Sequence, residues 1–247
     1  MCMESMCQFL SISGLKKNYA EVEALKGISF DVNTSEILAI LGPNGAGKTT
    51  VINCLTGLVP ADDGILLVKG ERQAILEKDC IGLCPQEIII WDQLSVLEQL
   101  VFIGSLYGIH KREAREKALI LLDELSLTEK KNSRGSALSG GMKRRLNIAL
   151  SLVHDPEIII LDEPEAGLDP QSRLLVRDFL KRESEGRSVI LTTHSMDEAQ
   201  RVADRVILID CGLIIAEGTV NKLLSEYRCR DLEEVFFHLT GRTLRDN

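Results

Sequence analysis

The sequence predicts an α/β protein with a mainly parallel core sheet, an N-terminal antiparallel β subdomain and an inserted α-helical subdomain. Three patterns predict this fold. In the second half, strands that are apolar along their length alternate with helical stretches, as is typical of parallel strands covered on both faces. The first third alternates short β runs with turns. Between these parts, Leu94–Leu127 has only helical periodicity.

The composition fits this fold and narrows the classes of function. A chain of 247 residues is long enough for one large domain or a core with a lobe. The net charge of -8 argues against a nucleic-acid partner, although a local basic patch at Lys143-Arg144-Arg145 stays open. The chain has neither a signal peptide nor an apolar run of about 18 residues, so we expect a cytoplasmic location. The seven cysteines, including Cys2 and Cys7, match no zinc template and are expected to be reduced thiols.

The first third is predicted to supply strands around one short helix. Runs rich in β-branched and aromatic residues, bounded by turn residues, predict the strands, and Gly64–Gly70 resembles a hairpin. The helix Val51–Leu58 follows a glycine-rich turn. The three remaining strands are predicted at Phe9–Ile12, Ile28–Val32 and Ile37–Leu41.

The rest of the chain is predicted to contain the helical lobe and the parallel strands. A helix through Leu146–Val153 ends at Asp155-Pro156. Further strands are predicted at Ile158–Leu161, Ser188–Thr193 and Arg205–Asp210, and further helices at Ser172–Ser184 and Asp197–Ala203. We therefore expect one domain over residues 8–230, with a core of 8–86 and 155–230 and a lobe of 87–154. A helical tail at 231–247 follows it.

A glycine-rich segment between a strand and a helix predicts a phosphate-binding loop. It fits G-x-x-x-x-G-K-[ST], directly after the apolar strand and directly before the helix. Such glycines let backbone N–H groups converge on phosphate, the lysine reaches the outer phosphates, and the threonine hydroxyl can coordinate Mg²⁺. A chance glycine-rich turn is the alternative, but this placement makes it improbable. The predicted ATP-binding residues are Gly42, Pro43, Asn44, Gly45, Ala46, Gly47, Lys48, Thr49 and Thr50.

Two acids at the end of the strand Ile158–Leu161 predict the second half of this site. Asp162 is expected to hold the Mg²⁺ shell, as the acidic partner does in P-loop NTPases. Glu163 could polarise the attacking water. The alternative is a strand that ends at the surface in two solvated acids.

One further segment resembles the signature LSGGQ of the ABC ATPase family. It consists of Leu138, Ser139, Gly140, Gly141 and Met142, and Met142 departs from the family's fifth residue in a way that resembles the drug- and ion-exporter branch. Family members pair head to tail, so the resemblance implies that this segment faces ATP held by a partner cassette. A helix cap would explain Ser139 alone but not the whole segment.

Four other residues each resemble one functional residue of the family. Gln86 resembles the loop glutamine that contacts Mg²⁺ or the lytic water, and His194 resembles the switch histidine that contacts the γ-phosphate. Asp169 resembles the aspartate of a loop that crosses the dimer interface. Tyr19 resembles the aromatic residue that stacks on adenine, and a half-buried strand tyrosine explains it about as well.

The resemblance covers about Phe9 to Lys222, and the tail Asp231–Gly241 looks like that of exporter cassettes. It implies an ATPase with ATP and Mg²⁺ as cofactors, a second cassette that is identical or a close paralogue, and a separate membrane permease. The chain would then lie peripherally on the inner face of the cell membrane. Ile88–Ile90 and Trp91 are candidates for the permease contact, or simply pack the lobe.

Two other functions are alternatives to a transporter subunit. A non-transport ABC ATPase that remodels a ribosome, nucleic acid or protein complex would typically carry two cassettes, coiled coils or zinc modules, and the sequence shows a single phosphate loop. A catalytically dead binding module would lack Lys48, Asp162 or Glu163, and all three residues are present.

Overall fold

A computed structural model describes residues 8–241, so Cys2, Cys7 and residues 242–247 of the predicted tail lie outside the described part. Within these residues the chain forms ten strands, eight α-helices and three short 3-10 turns. The strands are β1 (Gln8–Tyr19), β2 (Val22–Asn33), β3 (Ile37–Leu41), β4 (Asp63–Val68), β5 (Glu71–Gln73), β6 (Ile81–Cys84), β7 (Ile158–Asp162), β8 (Ser188–Thr193), β9 (Arg205–Asp210) and β10 (Leu213–Gly218). The helices are α1 (Lys48–Leu55), α2 (Val96–Leu106), α3 (Lys111–Glu124), α4 (Gly140–Leu150), α5 (Pro170–Ser184), α6 (Met196–Val202), α7 (Val220–Tyr227) and α8 (Leu232–Thr240).

The described chain divides into two compact units, and the first comprises residues 8–77 and 184–241. Its N-terminal strands form a four-stranded sheet in the order β2-β1-β4-β5, and every pairing in that sheet is antiparallel. Strand β3 lies between β8 and β9 and is parallel to both, while β10 adds to β9 in the antiparallel direction. All five residues of β3 are buried, because the strand is covered on both faces.

The second unit comprises residues 78–183 and contains the predicted lobe. Its two strands, β6 and β7, pair in parallel and place Cys84 opposite Leu161. Helices α2, α3 and α4 pack against one another. Helix α2 begins with a capping box, in which the Ser95 hydroxyl accepts the Glu98 N–H and the Glu98 carboxylate accepts the Ser95 N–H.

The structure confirms the predicted fold class and refines several boundaries. Strands β3, β8 and β9 have the predicted bounds, whereas β1 and β2 are longer and α1 begins at Lys48 rather than at Val51. The predicted helical stretch splits into α2 and α3 at Gly108, whose φ of 77° is outside the helical range. Strand β10 and helix α7 were not predicted.

No helix within residues 8–241 is both long enough and apolar enough to cross a bilayer.

Candidate functional site

The predicted phosphate-binding loop connects β3 to α1 in the first unit. Gly45 and Gly47 have φ values of 79° and 111°, in the region that favours glycine. A Cβ on Gly47 would lie 2.8 Å from the Ala24 carbonyl oxygen, so a larger residue would push β2 away from the loop. The glycines are therefore required both by the turn and by the close approach of β2.

Lys48 supplies a buried positive charge to this loop. Its side chain is only 6% exposed, and Nζ donates to the carbonyl oxygens of Gly42 at 2.8 Å and Pro43 at 3.1 Å. Helix α1 starts at the same residue, and Gly47 at its N-cap provides no side-chain acceptor for the first N–H groups. An ammonium and a helix N-terminus at one loop are chemically suited to bind phosphate.

The turn between β9 and β10, which the sequence did not single out, is hydrogen-bonded to both the phosphate-binding loop and β2. Gly212, between β9 and β10, donates its N–H to the Ala46 carbonyl at 3.0 Å and accepts the Lys26 N–H at 2.9 Å. A Cβ on Gly42 would lie 2.2 Å from the Ile209 carbonyl oxygen, so β9 also packs directly against the loop. The only sequence signal for this support is a glycine immediately after a strand.

Two further predicted residues lie in the same unit. His194 is exposed and follows Thr193, which pairs with Leu41 at the end of β3, so His194 and the phosphate loop leave the sheet at the same edge. Tyr19 is 42% exposed at the tip of the β1–β2 hairpin, and Lys17 Nζ lies 5.5 Å from its ring centroid. The hairpin is the one whose second strand contacts Gly47.

In the second unit, the two predicted acids are buried rather than solvated. Asp162 is 3% exposed and Glu163 is 4% exposed, which contradicts the alternative of a surface strand end. Glu163 has a φ of 51°, a left-handed conformation that a non-glycine residue adopts only where its surroundings enforce it. Gln86 is exposed and lies two residues beyond Cys84, the partner of Leu161, so Gln86 and the acids leave adjacent strands at one edge.

The guanidinium of Arg144, on α4, binds the backbone of both of these strand ends. Its side chain is 1% exposed, so it cannot belong to a surface basic patch, and Arg145 beside it is 9% exposed. The basic patch at Lys143-Arg144-Arg145, which the sequence left open, is therefore excluded, because two of its three residues are buried. The Arg144 N–H groups donate to the carbonyl oxygens of Pro85, Gln86, Asp162, Glu163 and Pro164.

The signature segment forms the start of α4. Ser139 is its N-cap, and the hydroxyl accepts the Met142 N–H at 3.3 Å. A Cβ on Gly141 would lie 3.6 Å from Asp169 Oδ2, so the signature segment and the Asp169 loop are neighbours. Asp169 Oδ1 accepts the N–H groups of Gln171 and Ser172 at the start of α5, and hydrogen bonds led by that of the Ser172 hydroxyl lower the Asp169 pKa.

The candidate Mg²⁺ ligands have the right donor chemistry for that ion. They are the hydroxyl of Thr49, the amide oxygen of Gln86 and the carboxylate of Asp162, all hard oxygen donors. Among residues 8–241, no group of three or more His, Cys, Asp or Glu side chains could hold a metal ion. Proteins usually bind Mg²⁺ through one or two carboxylates together with substrate phosphates.

Comparisons with known proteins identify the family. A family model described as ABC transporter matches residues 25–166. The linearmycin resistance ATP-binding protein LnrL of Bacillus subtilis (strain 168) is 42% identical over 87% of this chain and 71% of its own length. The Nod factor export ATP-binding protein I of Paraburkholderia xenovorans (strain LB400) is 40% identical over 90% of this chain and 74% of its own length.

A solved structure adds information on the nucleotide. It is a dimeric ATP-binding cassette in a post-hydrolysis state, bound to ADP and inorganic phosphate. Its TM-score with this chain is 0.78 at 25% identity, over 85% of this chain and 98% of the solved one. Together with the phosphate loop and the family match, these findings show that the chain belongs to the ABC transporter family and is an ATP-binding, ATP-hydrolysing subunit that powers a membrane transporter.

Proposed function

We propose that this subunit binds Mg-ATP at Gly42–Thr50, hydrolyses it with Glu163 as the base, and works as one of two cassettes that drive a separate membrane permease. The observation that carries the proposal is the phosphate loop itself. It combines two glycines of positive φ with the buried Lys48 ammonium and a helix N-terminus whose N-cap is a glycine. These features attract a polyphosphate and are held in place before it binds.

The proposed chemistry divides the work among five side chains. Asp162 and Thr49 would hold Mg²⁺, which neutralises charge on the phosphate oxygens when it is bound. Glu163 would orient and deprotonate the attacking water, with Gln86 contributing to the same water or ion. His194 would hydrogen-bond the γ-phosphate. The burial of both acids and the exposure of the His194 and Gln86 side chains support this division.

The pairing proposal assigns the signature segment to a partner's nucleotide. Ser139 and the following glycines present a helix N-terminus at an exposed position, as an anion site between two chains requires. Asp169 lies beside Gly141, which supports its assignment to the same interface, and Tyr19 is proposed to stack on adenine. The partner would be an identical chain or a close paralogue.

The permease contact is proposed at an exposed apolar surface of the second unit. Ile88, Ile89, Trp91 and Phe102 are 41%, 57%, 39% and 45% exposed. The Trp91 and Phe102 rings pack edge to face with centroids 5.6 Å apart. Exposed clusters of large apolar side chains mark interaction surfaces more often than isolated ones do. The relatives' names, linearmycin resistance and Nod factor export, favour an exporter on the cytoplasmic face of the membrane.

The test is Glu163→Gln, which keeps the side chain's size and removes its basicity. We expect turnover to fall at least about 100-fold, because general bases contribute roughly 10²–10⁴-fold. Nucleotide affinity should be retained, and Mg-ATP should shift the variant from monomer to dimer in light scattering after gel filtration.

The matched control is Glu157→Gln, which removes an exposed carboxylate just before β7, at the other end of that strand. Its turnover should equal that of the native sequence. If Glu163→Gln hydrolyses ATP at the native rate and stays monomeric with Mg-ATP, both the base and the pairing are misassigned.

A further inference from the structure

The five N–H groups of Arg144 are all used, and every acceptor is a backbone carbonyl of a loop that carries a proposed catalytic residue. A guanidinium has five donors in a fixed planar fork. Here Nε binds Pro164 O at 3.1 Å, one terminal nitrogen binds Pro85 O at 2.8 Å and Gln86 O at 2.9 Å, and the other binds Asp162 O at 2.6 Å and also Glu163 O. One side chain of the signature helix thus joins two loops.

The backbone at Glu163 needs such support. Its φ of 51° is a sparsely populated conformation for a side chain of this kind, and such conformations persist where the surroundings over-determine them. Hydrogen bonds from Arg144 to the carbonyls of residues 162, 163 and 164 fix three consecutive peptide groups around this position. They therefore set the direction in which the Glu163 carboxylate leaves the backbone.

A second residue of α4 also binds the Gln86 loop. The Asn147 side chain is 4% exposed, and its Oδ1 accepts the Ile89 N–H at 3.1 Å. Its amide nitrogen lies 3.5 Å from Pro85 O and 3.4 Å from Glu87 O. The Gln86 loop is therefore attached to the signature helix at several consecutive residues.

We propose that Arg144 is a positioning residue, which fixes Gln86 and Glu163 relative to each other by binding the carbonyls of both loops to the signature helix. This rests on the proposed function, in which Glu163 is the base and Gln86 contacts the water or ion. Lysine cannot replace arginine at this position, because its compact ammonium has three donors and cannot span five carbonyls in a plane.

The test compares Arg144→Lys with Arg145→Lys. Arg145 is the neighbouring buried arginine of α4, and it donates to the carbonyls of Leu125 and Ser126, away from both loops. We expect Arg144→Lys to lower kcat at least about tenfold, as small displacements of catalytic groups do, with the KM and Kd for ATP within about twofold. Arg145→Lys should lower the Tm by about as much as Arg144→Lys does, but its kcat should stay within about twofold of the native value.

The outcomes separate the positioning role from a merely structural one. Native kcat in Arg144→Lys, or equal fractional losses of kcat in both variants, would overturn the proposal. If Arg144→Lys does not fold, Asn147→Ala takes its place, with kcat expected to fall severalfold at unchanged Kd for ATP. An unchanged kcat in that variant would also overturn it. The proposed function fails separately, if Glu163→Gln retains native turnover.

Discussion

Ser139 has two proposed tasks that make different demands on its side chain. Within its own chain the hydroxyl accepts the Met142 N–H and caps α4, a task that any short acceptor side chain performs. Toward a partner's nucleotide it would have to face phosphate oxygens, a task that requires a neutral donor. The same atom can therefore be tested for both tasks by changing its charge and keeping its capping ability.

We predict that Ser139→Asp folds as stably as the native chain but loses most of its ATPase activity. Aspartate caps a helix about as well as serine, while its negative charge would repel the partner's phosphates. Ser139→Ala is the contrasting variant, and it should cost about 1 kcal/mol of unfolding free energy through loss of the cap. Urea denaturation and steady-state turnover measure the two effects. Native turnover in Ser139→Asp would show that this residue is only a cap.

At the scale of single residues, the sequence predicts those functional residues whose chemistry follows from the motif that contains them. Lys48, Asp162 and Glu163 are of this kind, and all three are buried in the structure. Arg144 is different, because its five acceptors are 18 to 59 residues away in sequence and are all backbone atoms. No side-chain pattern encodes carbonyl acceptors, so the sequence assigned no role to Arg144.

Among the elements, β6 and the end of α4 approach too closely for any side chain between them. A Cβ on Gly82 would lie 2.1 Å from the Ser151 carbonyl oxygen and 2.9 Å from Pro156 Cγ. We predict that Gly82→Ala lowers the unfolding free energy by about 1–3 kcal/mol, because the strand must move to relieve the overlap.

The control for this prediction is Gly186→Ala, in the turn between α5 and β8. Nothing lies within 4 Å of a Cβ there, and its φ is not in the left-handed region. Its stability should be unchanged or slightly higher, since alanine has less conformational entropy to lose than glycine. Equal unfolding midpoints for both variants in urea would mean that β6 and α4 are not packed as described.

Element types were more predictable than element ends. Strands β3, β8 and β9 are continuous apolar runs between turn residues, so pattern and burial coincide and their bounds were correct. The break between α2 and α3 was not predicted, although Gly108 was a local signal for it. Strand β10 was missed because it pairs only with β9, at the edge of its sheet, and its side chains are mostly half-exposed.

On the scale of the whole molecule, the feature that most needs a partner is the apolar surface formed by Ile88, Ile89, Trp91 and Phe102. Its backbone is fixed, because the buried Gln99 side chain accepts the Trp91 N–H at 2.9 Å and donates to the Trp91 carbonyl at 3.0 Å. These side chains are therefore held outward on a rigid segment. Preorganisation of this kind lowers the entropic cost of binding.

We predict that Ile89→Asp abolishes assembly with the permease and leaves the ATPase activity of the isolated subunit within about twofold of native. A buried unpaired carboxylate would be costly in an apolar interface, while the Ile89 N–H can still bind Asn147 Oδ1. The measurement is recovery of the tagged chain from detergent-solubilised membranes, with the membrane polypeptide identified first from the native chain. Charge reversal at Asp92 would be a less specific test of this surface, because Asp92 forms an ion pair with Lys143 at 3.4 Å and the change would also break that pair.

Ile120→Asp is the matched control, since Ile120 lies on α3 of the same unit and is 60% exposed, against 57% for Ile89. An aspartate on α3 costs little where the side chain stays in water, so this variant should still recover the permease. Loss of recovery in both variants would indicate a general effect of added charge. If both variants still recover the permease, the permease contact lies elsewhere than on the surface that contains Trp91. The side chains of that surface would then have a packing role only.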